Sequence, residues 1–91
     1  MDARELAKYM KWCLERDIKI YPKSNNSGKY YIIISKNGKE SMSEHYYENQ
    51  GGYRLLIENN EKVKKYFPSV HTRIAELYKQ TFDMNINKSA A

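Results

Sequence analysis

The stretch Tyr30-Tyr31-Ile32-Ile33-Ile34-Ser35, followed at once by Lys36-Asn37-Gly38-Lys39, decides the fold. Its first part is almost entirely β-branched or aromatic, which predicts a strand. Asn-Gly accepts the positive φ angles of a two-residue type I′ turn, so the chain should fold back into a short strand at about residues 39–43. The length of the turn sets the register, which places Lys36 opposite Lys39, Ser35 opposite Glu40 and Ile33 opposite Met42.

Before this hairpin, the sequence predicts a helix, a strand and a loop. Asp2 and Glu5 have the spacing of a capping box, and an apolar stripe with helical spacing follows, so we expect a helix over residues 3–16. The alternation in Ile18-Lys19-Ile20-Tyr21 predicts a half-buried strand that ends at Pro22. The polar composition of residues 22–29 is typical of a mobile loop.

After the hairpin, the pattern indicates helices. Apolar residues between 53 and 67 fit helical spacing, and whether residues 44–67 form one helix or several is open. Beyond Pro68 we expect a last helix at about 69–83 and a frayed tail at 86–91. The predicted fold class is α+β: an N-terminal helix, a small three-stranded antiparallel sheet and two to three C-terminal helices (α-β-β-β-α-α), with the helices on one face of the sheet. Residues 1–85 should form a single compact domain.

The composition indicates the cellular location of the protein and the kind of genome that encodes it. The chain has 91 residues, and its longest apolar run, residues 30–34, is far too short to cross a membrane. A single cysteine, Cys13, excludes an internal disulfide framework, and the first residues have no basic-then-apolar signal segment. We therefore expect a reducing, cytoplasmic location. Residues with A/T-rich codons (Lys, Asn, Ile, Tyr) make up 37 of the 91, which indicates an AT-rich genome of a bacterium, phage or mobile element.

The positive charge is concentrated in one segment. The net charge is +5, yet residues 1–17 and 40–91 each balance to zero, so the excess comes from five lysines in residues 18–39, a segment without a single acid. Codon bias raises the number of lysines but does not explain the missing acids. A small basic protein of this kind points to an acidic partner.

Enzymatic chemistry finds little support. Neither His45 nor His71 has metal-ligand spacing to a cysteine or another histidine, and Cys13 lies on the apolar stripe of the first helix. The acidic residues around His45 fit a solvated face better than a catalytic one. Gly51-Gly52 lacks the Lys-Ser/Thr of a phosphate loop. We expect a protein that is not an enzyme and that has no metal and no cofactor.

The basic segment has the parts of a nucleic-acid platform. Lysines would neutralise phosphates of RNA or DNA, and solvent-facing tyrosines would stack on unpaired bases. Because side chains alternate along a strand, only one of Tyr30 and Tyr31 can face out. The predicted nucleic-acid-binding residues are Lys19, Tyr21, Lys23, Asn25, Asn26, Lys29, Tyr31, Lys36 and Lys39. The alternative is a solvated sheet edge on which lysines discourage aggregation.

A second group of residues fits a protein partner. Trp12 lies off the apolar stripe, beside Lys8 and Arg16, and Tyr46 and Tyr47 are aromatic residues for which the core has no evident need. Trp12 would otherwise widen the core. The leading hypothesis is a binding protein that docks on nucleic acid or a nucleoprotein complex. The alternative is a phage-type inhibitor or adaptor, for example anti-CRISPR-like, that contacts a host defence enzyme. The oligomeric state is open.

Overall fold

The computed structural model describes residues 2–90, with side chains to residue 86. The chain forms seven elements: α1 (Ala3–Leu14), β1 (Ile18–Ser24), β2 (Tyr30–Lys36), β3 (Lys39–Met42), β4 (Gly52–Glu58), β5 (Glu61–Phe67) and α2 (Val70–Ala90). Strands β1, β2 and β3 make one antiparallel sheet in that order, and β4 and β5 make a separate two-stranded sheet. The α+β class, the N-terminal helix and the three-stranded sheet are confirmed.

The predicted caps and turns of the first half are present. The Asp2 carboxylate accepts a hydrogen bond of 2.8 Å from the Glu5 N–H at the start of α1. The helix ends at Leu14, two residues earlier than predicted, and Asp17, with φ 57°, turns the chain into β1. In the β2–β3 turn, Asn37 and Gly38 have φ angles of 52° and 83°. The register of β2 with β3 is the predicted one at every pair.

Strand β1 runs further than the sequence indicates. It continues through Pro22 to Ser24, where a strand end and a mobile loop were expected. Both the N–H and the C=O of Ile20 bond to the Tyr78 hydroxyl, so they point away from β2, towards the open edge. Pro22, two residues further along, has the same orientation. Its missing N–H therefore removes no bond to β2.

The predicted helices of residues 44–67 are wrong, because this region contains the β4–β5 hairpin. Asn59 and Asn60 have φ angles of 51° and 64° and connect Glu58 to Glu61 as a two-residue turn. Asparagine adopts this left-handed conformation more readily than most residues, so the pair reverses the chain where a break between helices was expected. The alternation of Tyr53, Leu55 and Ile57 is then the period of a strand.

The core lies between the two helices and one face of the three-stranded sheet. It consists of the buried residues Cys13, Ile18, Ile20, Ile32, Val70 and Tyr78. Within the described residues one helix follows the hairpin, and it covers residues 86–90 of the expected tail; residue 91 lies outside the described residues. The single compact domain of residues 1–85 stays a prediction. Within residues 2–90, neither helix has the length and apolar character needed to cross a membrane.

Candidate nucleic-acid interface

The two faces of the three-stranded sheet have different roles. Ile18, Ile20 and Ile32 point into the core beneath the helices. Successive side chains of a strand point to opposite faces, and directly paired residues share a face, so the register defines the other side. We call it the outer face; its residues are Lys19, Tyr21, Lys23, Tyr31, Ile33, Ser35, Glu40 and Met42.

The centre of the outer face is apolar and aromatic. Ile33, on the middle strand, is only 4% exposed, and it lies between its cross-strand neighbours Tyr21 and Met42. Tyr31 is half-buried on the same face. Tyr30 packs against the core instead. The face therefore presents two tyrosine rings next to a closed apolar centre.

Positive charge borders these rings on the side of β1. Lys19 and Lys23 are exposed, and Lys23 lies directly across from Tyr31. Among the described side chains, the ion pairs are Glu58–Lys65, Arg73–Glu76 and Lys79–Asp83. None of them involves a lysine of the three-stranded sheet. The ammonium groups of Lys19 and Lys23 are thus available to an external anion.

Negative charge lies at the opposite side of the outer face. Glu40, on β3, accepts a hydrogen bond of 3.3 Å from the Tyr21 hydroxyl, which orients the Tyr21 ring. Partial burial, and then the charge and hydrogen bond of Glu40, raise the pKa of the Tyr21 phenol. The ring therefore stays neutral at physiological pH. The outer face is polarised, with cations along β1 and a carboxylate on β3.

The side chain of Asn25, one of the predicted nucleic-acid-binding residues, shapes the β1–β2 turn. The Asn25 side-chain oxygen accepts hydrogen bonds from the N–H groups of Ser27 (2.9 Å) and Lys29 (3.1 Å). The Asn25 N–H donates to the Lys29 carbonyl at 2.9 Å. Asn25 thus shapes the turn in the segment expected to be a mobile loop, and Asn26 is exposed beside it.

The remaining lysines of the basic segment lie elsewhere. Lys29 has its Nζ 4.1 Å from the centre of the Tyr46 ring, so its charge is held against an aromatic face. Lys36 and Lys39 pair across the β2–β3 turn, and Lys36 is opposite Ile18. These two are exposed, but their positions share the face that the helices cover. The nine predicted residues therefore do not form one surface.

The contact between the helices includes Lys8, Trp12 and Arg16. The Trp12 ring meets Phe82 of α2 edge-on at 5.4 Å, and the Arg16 guanidinium lies 4.0 Å above the Trp12 ring. Arg16 also donates to the Trp12 carbonyl at 3.0 Å, and Lys8 Nζ is 5.4 Å from the centre of the Phe82 ring. Trp12 thus widens the core, which was the alternative interpretation of this residue.

Tyr46 and Tyr47 hold the β4–β5 hairpin. The Arg54 guanidinium lies 4.0 Å from the Tyr46 ring and 4.2 Å from the Phe67 ring, and it donates to the Tyr46 carbonyl. The Tyr47 ring packs 5.9 Å from Phe67, and its backbone pairs with Tyr30. These two tyrosines make structural contacts with ring partners different from that of Trp12.

Sequence reasoning missed the face of the β4–β5 hairpin that points away from Arg54. Tyr53, Leu55, Ile57 and Tyr66 are all exposed there, with Lys62 and Lys64 between them. The signal that would have found it is the short apolar run of residues 53–57, interrupted only by Arg54, followed by a two-residue asparagine turn.

The titratable residues considered for catalysis make no constellation. Cys13 is fully buried, and burial raises the pKa of its thiol despite the nearby charges of Arg16 and Lys36. The His45 ring packs edge-on against Phe67 at 5.6 Å. Among the described residues, there is no group of three or more His, Cys, Asp or Glu side chains placed to hold a metal ion.

Comparison of the chain with protein-family models, with curated proteins and with solved structures found no match.

Proposed function

We propose that the protein binds nucleic acid through the outer face of the three-stranded sheet. The observation that supports this most directly is the placement of Lys19, Tyr21, Lys23 and Tyr31 together on a face that the helices leave free. Two unpaired ammonium groups beside two aromatic rings combine phosphate attraction with base stacking.

The charge distribution of the outer face indicates how a single nucleic-acid strand would lie on it. Glu40 on β3 repels phosphates, and Lys19 and Lys23 on the edge strand β1 attract them. The sugar–phosphate backbone would therefore follow β1, and the bases would reach inward over Tyr21 and Tyr31. Stacking on these rings needs bases that are not already stacked in a duplex, so single-stranded or looped RNA or DNA fits best.

The test is a fluorescence-anisotropy titration with single-stranded RNA, single-stranded DNA and duplex DNA at several salt concentrations. Replacing Lys19 and Lys23 with glutamine should weaken binding and lower the salt slope by about 1.4, because two phosphate contacts are lost and each contributes roughly 0.7 on a single strand. Glu40→Gln should strengthen binding, since it removes a repulsive carboxylate.

The matched control replaces Arg4 and Lys11, two exposed basic residues of α1 outside the outer face, with glutamine. It removes the same net charge, so it should leave the affinity nearly unchanged. An equal loss of affinity in both double variants would mean nonspecific attraction by net charge and would overturn the proposal. So would the absence of salt-sensitive binding to all three nucleic acids.

The contribution of stacking is tested by Tyr31→Leu, which keeps an apolar side chain without a ring. Base–aromatic stacking is worth about 1–3 kcal/mol per base, so the affinity for single strands should fall at least fivefold. The salt slope should not change, because no phosphate contact is removed. A loss of slope instead would show that Tyr31 only supports the lysines.

A further inference from the structure

The β4–β5 hairpin carries an apolar strip with no partner in the described structure. By register, six side chains share one face of the hairpin, and we call them the hairpin strip: Tyr53, Leu55, Ile57, Lys62, Lys64 and Tyr66. Leu55 is 74% exposed and Ile57 is 77% exposed, although both lie within β4. Exposed aliphatic residues side by side are a mark of an interaction site.

The hairpin is attached to the rest of the protein by its other face and at one end. Arg54 stacks between Tyr46 and Phe67, and Phe67 is buried against His45 and Tyr47. The strip points away from these contacts. A two-stranded hairpin is only marginally stable in water, so a strip of this kind gains most when a partner covers it.

The strip has cations and lacks carboxylates. Lys64 lies across from Leu55, and Lys62 lies across from Ile57. The hairpin's two glutamates, Glu58 and Glu61, are next to the turn and at positions of the opposite face, and Glu58 is paired with Lys65 at 2.9 Å. The chemistry of the strip is therefore aliphatic, aromatic and positive.

Charge complementarity selects the occupant. A second copy stacked strip to strip would bring lysines together with no carboxylate between them. A nucleic acid would neutralise the lysines but would leave Leu55 and Ile57 facing a hydrated phosphate backbone. An anionic membrane that covered the strip would also approach Glu61 beside the turn, a carboxylate outside the described ion pairs. A protein segment with apolar side chains bordered by carboxylates meets both needs.

We propose that the hairpin strip docks an acidic–apolar protein segment. The distance from Tyr53 to Ile57 along β4 is about 13 Å, which matches roughly five residues of an extended segment. At the attached end of the strip, the rings of Tyr53 and Tyr66 meet edge-on at 5.2 Å, and Lys64 Nζ is 4.9 Å from the centre of the Tyr53 ring. Apolar side chains pack on Leu55 and Ile57, and the carboxylates pair with Lys62 and Lys64.

The site is separate from the outer face, so the two proposals can fail independently. The experiment uses the full chain, labelled with ¹⁵N, and a synthetic peptide of about ten residues in which pairs of leucines alternate with pairs of aspartates, so that each face of the extended peptide carries both residue types. Matched peptides replace every leucine with serine or every aspartate with lysine. Amide shifts should appear at residues 53–57 and 62–66 with the leucine–aspartate peptide alone.

Variants then test the strip itself. The double change Leu55→Ser and Ile57→Ser, and separately Lys62→Glu, should each weaken peptide binding at least tenfold. The matched controls Met84→Ser and Lys11→Glu change exposed residues elsewhere and should leave binding unaltered. The lysine double variant of the outer face should also bind the peptide normally. Equal binding by the strip variants and the controls would overturn the proposal.

Three other results would also overturn it. The first is the absence of shifts with the leucine–aspartate peptide. The second is a dimer in analytical ultracentrifugation that the Leu55→Ser, Ile57→Ser variant dissolves, which would make a second copy the occupant. The third is a shift of the strip resonances by phosphatidylserine vesicles or a thymidine oligonucleotide in place of the peptide.

Discussion

The Tyr78 hydroxyl makes two buried hydrogen bonds that join α2 to the sheet. It accepts from the Ile20 N–H at 2.9 Å and donates to the Ile20 carbonyl at 3.0 Å. Ile20 is on the edge strand β1, so no neighbouring strand is available to these two backbone groups. The Tyr78 side chain thus supplies hydrogen-bond partners for two buried backbone groups at the edge of the sheet.

Replacing Tyr78 with phenylalanine should destabilise the fold more than a surface change of the same kind. The ring would still fill the core, but the Ile20 N–H and carbonyl would be buried without partners, at a cost of about 1–3 kcal/mol. Urea unfolding followed by circular dichroism measures the change. Tyr53→Phe, at an exposed ring, is the control and should have almost no effect; a similarly small effect of Tyr78→Phe would contradict the role assigned to the hydroxyl.

The buried thiol of Cys13 should make the protein less stable at alkaline pH. Burial raises the pKa of its thiol in the fold above the ordinary value of 9.0, so the folded state holds the proton more tightly than the unfolded chain. This contribution to the free energy of unfolding is complete below pH 9.0 and is lost as the pH rises through the folded-state pKa.

Cys13→Ala should therefore lower stability at neutral pH, by about 1 kcal/mol for the small cavity, and the gap to the unmodified protein should narrow above pH 9.0. Urea unfolding at a series of pH values measures both curves. A gap that stays constant across the range would show that the thiol titrates alike in the folded and unfolded states.

At the scale of elements, the β2–β3 hairpin depends on a single glycine. Gly38 has a φ of 83°, and a Cβ there would meet no atom within 4 Å, so the only obstacle to a side chain is the backbone conformation. Turn chemistry of this kind sets the register of both strands, because a two-residue loop leaves no slack.

Gly38→Ala should destabilise the protein by about 1 kcal/mol through backbone strain alone. Gly52→Ala is the matched control, since Gly52 lies outside the left-handed region and a methyl group added there would also meet open space. Thermal unfolding of the two variants makes the comparison. Equal melting temperatures would mean that the turn tolerates alanine by changing its type.

The two sheets differ in how strongly the whole molecule supports them. The three-stranded sheet is covered by both helices, whereas the β4–β5 hairpin is attached through Arg54, Phe67 and their aromatic neighbours. We expect backbone amides of β4 and β5 to exchange with solvent faster than those of β2, because local opening of the hairpin exposes little of the core.

Arg54→Lys should increase this difference. Lysine keeps the charge but loses the planar group that stacks between two rings, which is worth about 0.5–2 kcal/mol. Hydrogen exchange followed by NMR should then show amides of β4 and β5 exchanging several-fold faster, with β2 unchanged. Faster exchange throughout the protein would mean that the hairpin and the core open together.

Features that depend on residues close together in the chain could be predicted from the sequence, whereas features that depend on long-range contacts could not. The α1 cap and the β2–β3 register depend on residues adjacent in the chain, and both were predicted. The second hairpin was missed because Asn59-Asn60 permits either a helix break or a turn, and the spacing of the apolar residues was compatible with both periods. At the site, alternation correctly separated Tyr30 from Tyr31, but it could not show that Asn25 and Lys29 are already engaged.

By itself the sequence determined an α+β protein with a capped first helix, a register-defined hairpin and an acid-free basic segment, because each depends on local conformational preference or on composition. The tertiary structure alone decided which lysines share a face with Tyr21 and Tyr31, since that requires the register of three strands and the side chosen by the helices. It also assembled a second positive face from Lys62 and Lys64, in a half of the chain whose charges sum to zero. Charge balance along a chain is an average, whereas a binding surface is defined by the side chains that point the same way.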